Sequence, residues 1–244
     1  MRSPWIDATA LIDAGTLSLW SHTGRRPRCP GAADVVVAHS GHVSDALSSA
    51  LAGLPKARLT LRNRLSIVVG HPWAHGVVLP WQDGLSSDAA WRAYAGMRFA
   101  ERAQRGALRI LIAHERWGRT RLAAGICEGF LMEITRASRA AGWRLASVRD
   151  ALSASLDAYP AWRDRDDFAF ALRQQTVATC AFRHGGQWRD VVTLPCDGDW
   201  FAAAALMAGL PACADIGAVG FDGALLGAGI AAVELMDRSL AAPA

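Results

Sequence analysis

Two short apolar runs, residues 9–12 and 17–20, flank the tetrapeptide Asp13-Ala14-Gly15-Thr16. Asp and Gly between strand-type runs specify a tight β-hairpin at the start of the chain. A third strand-type run, 34–38, follows a polar loop. The stretch 41–54 then carries Val43, Ala46, Leu47, Ala50 and Leu51 at helical spacing, with Pro55 as its stop. A hairpin, a further strand and then a helix commit the chain to a sheet covered by helices, the α/β class.

The remaining sequence repeats this alternation. Residues 58–70 read as a strand, 71–75 as a turn around Pro72, and 76–79 as a returning strand. Ser87-Asp88 begins a helix with Trp91, Tyr94, Ala95 and Phe99 on its apolar side. Residues 107–114 and 120–127 read as two more strands, so this region is expected to form two hairpins flanking one helix. A helix at 129–141 stops at Gly142, and a strand at 143–148 leads into a helix at 150–158. The charged segment 159–167 contains Pro160 and marks a boundary between units 1–158 and 168–244. The second unit reads as a three-stranded meander at 168–172, 176–183 and 188–194. A helix at 200–210, a glycine-rich stretch at 218–229 and a final helix at 230–240 follow.

Apolar residues make up 52% of the 244 and charged residues 20%, which is ample for a core and argues against disorder. The apolar stretch 201–214 is broken by Gly209 and Pro211 and is shorter than the roughly 20 residues a span requires. The first twelve residues do not read as a signal peptide. Cys29, Cys127, Cys180, Cys196 and Cys213 are odd in number and scattered, which suits reduced thiols in a cytoplasmic protein. The net charge is +4, but apart from Arg25, Arg26 and Arg28 the basic residues are spread along the sequence, which argues against nucleic acid as the partner. Lys56 is the only lysine and lies in no glycine-rich loop, so neither a phosphate-loop nor a Schiff-base lysine is expected.

No catalytic constellation is complete. Pro72 and Gly76 argue against a helix across His71 and His75, and the His39–His42 pair has no carboxylate or thiol beside it, so no metal is expected. Gly-x-Ser-x-Gly is absent, and a strand would hold Cys180 and His184 too far apart for a nucleophile–base pair. Asp157, Asp164, Asp166 and Asp167 read as a solvated linker rather than an acid–base pair. Asp13, Gly15 and Thr16 have two readings. One is an ordinary hairpin turn; the other is a turn whose N–H groups and hydroxyl cradle a phosphate while Asp13 holds metal-bound water, a site for ATP and magnesium. Trp73, Trp81, Trp117 and Trp188 fall in or beside hairpin turns and are candidate anchors for a protein partner.

The order of these elements carries a resemblance. It rests on Leu59-Thr60-Leu61-Arg62-Asn63-Arg64-Leu65, Val77-Val78-Leu79-Pro80-Trp81, the helix beginning at Trp91 and the hairpin 108–127. Gly142-Trp143-Arg144-Leu145 after a helix, and a meander closing with His184-Gly185-Gly186-Gln187-Trp188-Arg189, complete it. Over residues 5–200 the chain resembles the actin-like proteins of type IV pilus and type II secretion machines, namely the PilM-like proteins and the cytoplasmic part of the secretion L protein. The resemblance implies two RNase H-like subdomains with mixed sheets flanked by helices. It also implies docking at the inner face of the cytoplasmic membrane and binding of short cytoplasmic tails or the assembly ATPase. An actin-like ATPase has a second Asp-x-Gly loop, where this chain reads Arg173-Gln174-Gln175-Thr176. Its adenine-binding glycines are hinted at only by Gly217-Ala218-Val219-Gly220 or Gly227-Ala228-Gly229. The expectation is therefore a cytoplasmic scaffold without a cofactor that binds a protein of a membrane-associated assembly; self-association is left open.

Overall fold

The computed structural model describes residues 5–23, 33–102, 104, 106–158, 165–197, 200–210, 218–222 and 234–236. Cys29, Cys213, Arg25, Arg26, Arg28, Asp164, Gly217, Gly227, Gly229 and the boundary residues 159–164 lie outside the described residues.

Strands β1 (Ile6–Ile12) and β2 (Thr16–Thr23) form the expected hairpin, extended by β3 (Val35–Ala38). Helix α1 (Val43–Ala52) turns its buried residues Val43, Leu47, Ala50 and Leu51 onto this sheet. Strand β4 (Asn63–Val69) then lies parallel to β1. It does not fold back on the next strand as the sequence suggested. The reason is burial on both faces: Leu65, Ile67 and Val69 enter one core while Val68 enters another, which suits an interior strand.

Strand β5 (Ala74–Leu79), helix α2 (Asp88–Glu101), β6 (Leu108–Ile112) and β7 (Arg121–Cys127) form an inserted unit. Its sheet order is β5-β7-β6, with Trp91, Ala95 and Phe99 of α2 packed on one face. Ser87 caps α2 by accepting the Ala90 N–H at 3.1 Å. Helix α3 (Glu128–Ala140) returns to the first core beside α1, and β8 (Arg144–Asp150) completes the first sheet in the order β3-β2-β1-β4-β8.

Helix α4 (Ala151–Ala158) leads to β9 (Phe168–Arg173), β10 (Val177–His184) and β11 (Gln187–Pro195), the expected meander. Helix α5 (Trp200–Met207) covers the outer face of that meander. Strand β12 (Ala218–Asp222) pairs parallel to β9, and β13 (Glu234–Met236) pairs antiparallel to β12. A final helix was expected over the last stretch, but residues 234–236 are a strand. The open edge of β12 supplies ladder partners, and such tertiary pairing overrides local propensity.

The second sheet has the order β11-β10-β9-β12-β13, so its first four strands repeat the connectivity of β3-β2-β1-β4. The two sheets face each other across a shared core of Leu11, Val68, Leu152, Phe168, Phe170 and Leu172. Asp157 pairs with Arg149, and Asp167 pairs with His184 while accepting the Gly185 N–H at 2.9 Å. Among the described residues, no helix is long and apolar enough to cross a membrane.

Candidate functional site

The β1–β2 and β9–β10 turns meet where the two sheets approach. Asp13 follows the last residue of β1, and its N–H donates to the Thr16 carbonyl at 2.9 Å, closing the first turn. The Asp13 side chain is only 8% exposed. Its Oδ1 accepts the Ala14 N–H at 2.7 Å and Nε2 of Gln174 at 3.2 Å, while Oδ2 accepts the Gln175 N–H at 3.2 Å. Two of these three donors come from the opposite sheet.

Gln174 is itself buried, and it also bridges to the loop after β4. Its Oε1 accepts the His71 N–H at 3.2 Å, and its backbone N–H donates to the Val177 carbonyl at 2.7 Å. The neighbouring glycines are fitted to this amide pair. A Cβ at Gly70 would collide with Nε2 of Gln174, and a Cβ at Gly15 would stand 2.7 Å from Oε1 of Gln175. The space in front of Asp13 and Gly15 is therefore occupied by glutamine side chains.

Behind Gln174 lies a cavity of about 20 Å³, lined by Gly70, His71, His75, Asp150 and Thr179 among others. That volume holds about one water molecule, far below the roughly 300–1,000 Å³ of small-molecule sites. Burial lowers the pKa of His71 despite the opposing charge of Asp13. Burial also lowers that of His75, reinforced by His71, whose ring centroid is 6.1 Å away, and opposed by a hydrogen bond with Pro72. Asp150 is shifted up by burial, although the Ser153 N–H donates to it at 2.7 Å. Among the described residues no group of three or more His, Cys, Asp or Glu side chains is arranged to hold a metal. Cys180 is buried and its pKa is pushed up to about 12, so it is no nucleophile at neutral pH.

The four tryptophans separate in space. Trp188 is 3% exposed and donates from its indole to Glu115 at 3.3 Å. Trp73 stacks on Phe130 with ring centroids 4.9 Å apart. Trp81 and Trp117 do meet, edge to face at 4.4 Å, and Trp117 is 78% exposed. The Arg121 guanidinium lies over Trp81 and Trp91, at 5.4 and 4.4 Å from their ring centroids. Nothing in the local sequence revealed that Gln174 reaches Asp13, because the two are 161 positions apart. The only local signal was the missing acid and glycine in the second turn.

No protein-family model matches the chain, and no curated protein matches it significantly. Similar solved structures exist. A Bacteroides thetaiotaomicron protein with an actin-like ATPase fold superposes with a TM-score of 0.56 at 7% identity, over 86% of this chain and 79% of that one. The cytoplasmic domain of EpsL, an inner-membrane component of the type II secretion system of Vibrio cholerae, gives 0.45 at 9% identity, over 80% and 76%. A PilM–PilN type IV pilus biogenesis complex gives 0.49 at 14% identity, over 84% and 66%. The two looser likenesses support no further statement. The first agrees with the duplicated strand order: this chain has the actin-like fold, with two RNase H-like sheets flanked by helices.

Proposed function

We propose that this chain is a non-catalytic actin-like scaffold or adaptor that binds a protein partner in a pilus- or secretion-type assembly. One observation carries the reading. Both carboxylate oxygens of Asp13 are engaged by the Gln174-Gln175 turn, which fills the place where a phosphate cradle would need open space. A turn that binds its opposite number holds the two halves together and takes three of the roughly four acceptor positions of the Asp13 carboxylate. The proposed subdomains, 1–158 and 168–244, are then joined by an amide clasp in place of a nucleotide.

The solvent-facing Trp117, backed by Trp81, is the proposed partner anchor. Trp is enriched at binding hot spots where it can be desolvated against a pocket. In this reading the chain works on the cytoplasmic side of the inner membrane.

Titration calorimetry with ATP and magnesium tests the proposal. No binding heat is expected from the full chain, and Asp13→Ala should lower its melting temperature without any nucleotide effect. Saturable ATP–magnesium binding that disappears in Asp13→Ala would replace the scaffold reading with the actin-like ATPase using Asp13, Gly15 and Thr16.

A further inference from the structure

The arginines that look scattered in sequence converge at one end of the first sheet. No acidic residue occurs between Asp45 and Asp83, nor between Glu133 and Asp150. The fold brings these two acid-free segments together. Arg64 and Arg144 sit opposite each other on β4 and β8. Thr60 and Leu61, from the short 3-10 turn Thr60–Arg62, share a groove of about 420 Å³ with Thr135, Arg139, Arg144 and Leu145.

Asn63 fixes this arrangement. It is 1% exposed, accepts the Ala57 N–H at 2.8 Å, and donates to the Gly142 carbonyl at 3.2 Å. The residue is thereby tied both to the segment carrying Lys56 and Arg58 and to the α3–β8 turn. Gly142 has φ +78, a conformation that glycine adopts without strain.

Two features of this end oppose stability in water. Leu59 and Leu61 are 57% and 70% exposed within three residues of each other. Like charges directly opposite on adjacent strands are unfavourable. Asp7, 3.7 Å from Arg64, offsets one of the pair. Arg139 also complements the C-terminal end of the α3 dipole. Neither accounts for Arg144 or for Lys56 and Arg58, which form no ion pair among the described residues.

We infer that the face formed by Lys56, Arg58, Leu59, Leu61, Arg139 and Arg144 docks directly on an anionic phospholipid bilayer. Arginines around the groove would take headgroup phosphates while the two leucines enter the acyl boundary. Basic residues rimming exposed aliphatic side chains are the pattern of interfacial membrane binding. Pure phosphate binding would leave the leucines without a role. The inference stands whether or not the chain also binds a protein partner.

Sedimentation of the full chain with vesicles is the test. Vesicles of about three parts phosphatidylcholine to one part phosphatidylglycerol should bind it at least about tenfold better than phosphatidylcholine alone, and added salt should weaken the binding. Leu59→Ser with Leu61→Ser should weaken binding about fivefold or more, and Arg139→Glu with Arg144→Glu should abolish it. Arg116→Glu should change little. Circular dichroism checks that each variant folds. If a variant does not fold, hydrogen exchange of the unaltered chain decides: residues 58–65 and 139–145 must slow on anionic vesicles. Equal binding to neutral vesicles, no slowing, or indifference to both pairs of substitutions overturns the inference. So does binding to duplex DNA or polyglutamate without binding to vesicles.

Discussion

The β1–β2 turn and the β9–β10 turn occupy equivalent places in two sheets of the same strand order, yet they carry opposite chemistry. The first, Asp13-Ala14-Gly15-Thr16, offers a carboxylate, a residue without a side chain and a hydroxyl. The second, Arg173-Gln174-Gln175-Thr176, offers two long amides. Placed face to face, the Gln174 side-chain amide and the Gln175 backbone N–H both donate to the carboxylate. Two open turns would leave a ligand-sized gap, whereas one open and one filled turn leave a joint. The titratable groups around that joint are also unequal. The first half supplies Asp13, His71, His75 and Asp150, while the second sets the neutral Gln174, Thr179 and Thr193 beside one titratable thiol, Cys196, whose Sγ donates to the Gln174 carbonyl at 3.7 Å.

The largest effect should come from Gly70→Ala, whose Cβ must displace Gln174 and break the joint from the first side. A cost of about 3 kcal/mol is expected from overpacking, read from the urea midpoint. Adding Gln174→Ala should recover part of that loss, because the two substitutions act on one contact. Strict additivity would show that the turns are not coupled.

Asp13→Ala removes the acceptor of two cross-sheet donors and takes from the buried Gln174 the partner of its Nε2. A loss of about 2 kcal/mol is expected. The reciprocal truncation Gln174→Ala should cost a similar amount, and an unchanged midpoint in both would break the comparison.

Arg102, just after α2, reaches the second sheet by donating to the Val191 carbonyl and to Asp190. Arg102→Ala should cost about 1 kcal/mol, since the pair is partly exposed and screened. This contact does not involve the turns, so its effect should add to that of Asp13→Ala.

A smaller effect should appear with pH. The folded pKa values of His71 and His75 lie below the ordinary 6.5. The unfolded chain therefore binds more protons below that value. The stability these groups confer is present above pH 6.5 and is lost as pH falls through and below it. Asp150 acts in the opposite sense: its raised folded pKa favours the fold at acid pH and subtracts from stability as pH rises above the ordinary 3.8. Melting curves of His75→Gln should show a flatter acid limb between neutral pH and about pH 5; an unchanged limb would remove His75 from the account. Trp117→Ala should have the least effect on stability, within about 0.5 kcal/mol, because its ring is mostly in solvent.

Much of the architecture was legible because it rests on local signals. The 2.0 and 3.6 residue periods of β1, β2, α1, α3 and the meander, the Ser87 cap and the stop at Gly142 are all properties of neighbouring residues. The pairing of β4 was not legible. Its apolar run suits a hairpin or an interior parallel strand equally, and burial on both faces decided the matter. The strand at 234–236 was hidden for a related reason, since only the open edge of β12 gives that segment a partner.

The sequence by itself determined which side chains are available: a turn with Asp13 and Gly15, a second turn without acid or glycine, one lysine, and arginines separated by long acid-free stretches. Tertiary structure decided what they do together. It set Gln174 against Asp13, buried Trp188 while leaving Trp117 in solvent, and gathered Arg139 and Arg144 around Leu61. Hydrogen bonds and charge pairs act over a few ångströms of space, and chain separation says nothing about which residues come that close until the sheets have packed.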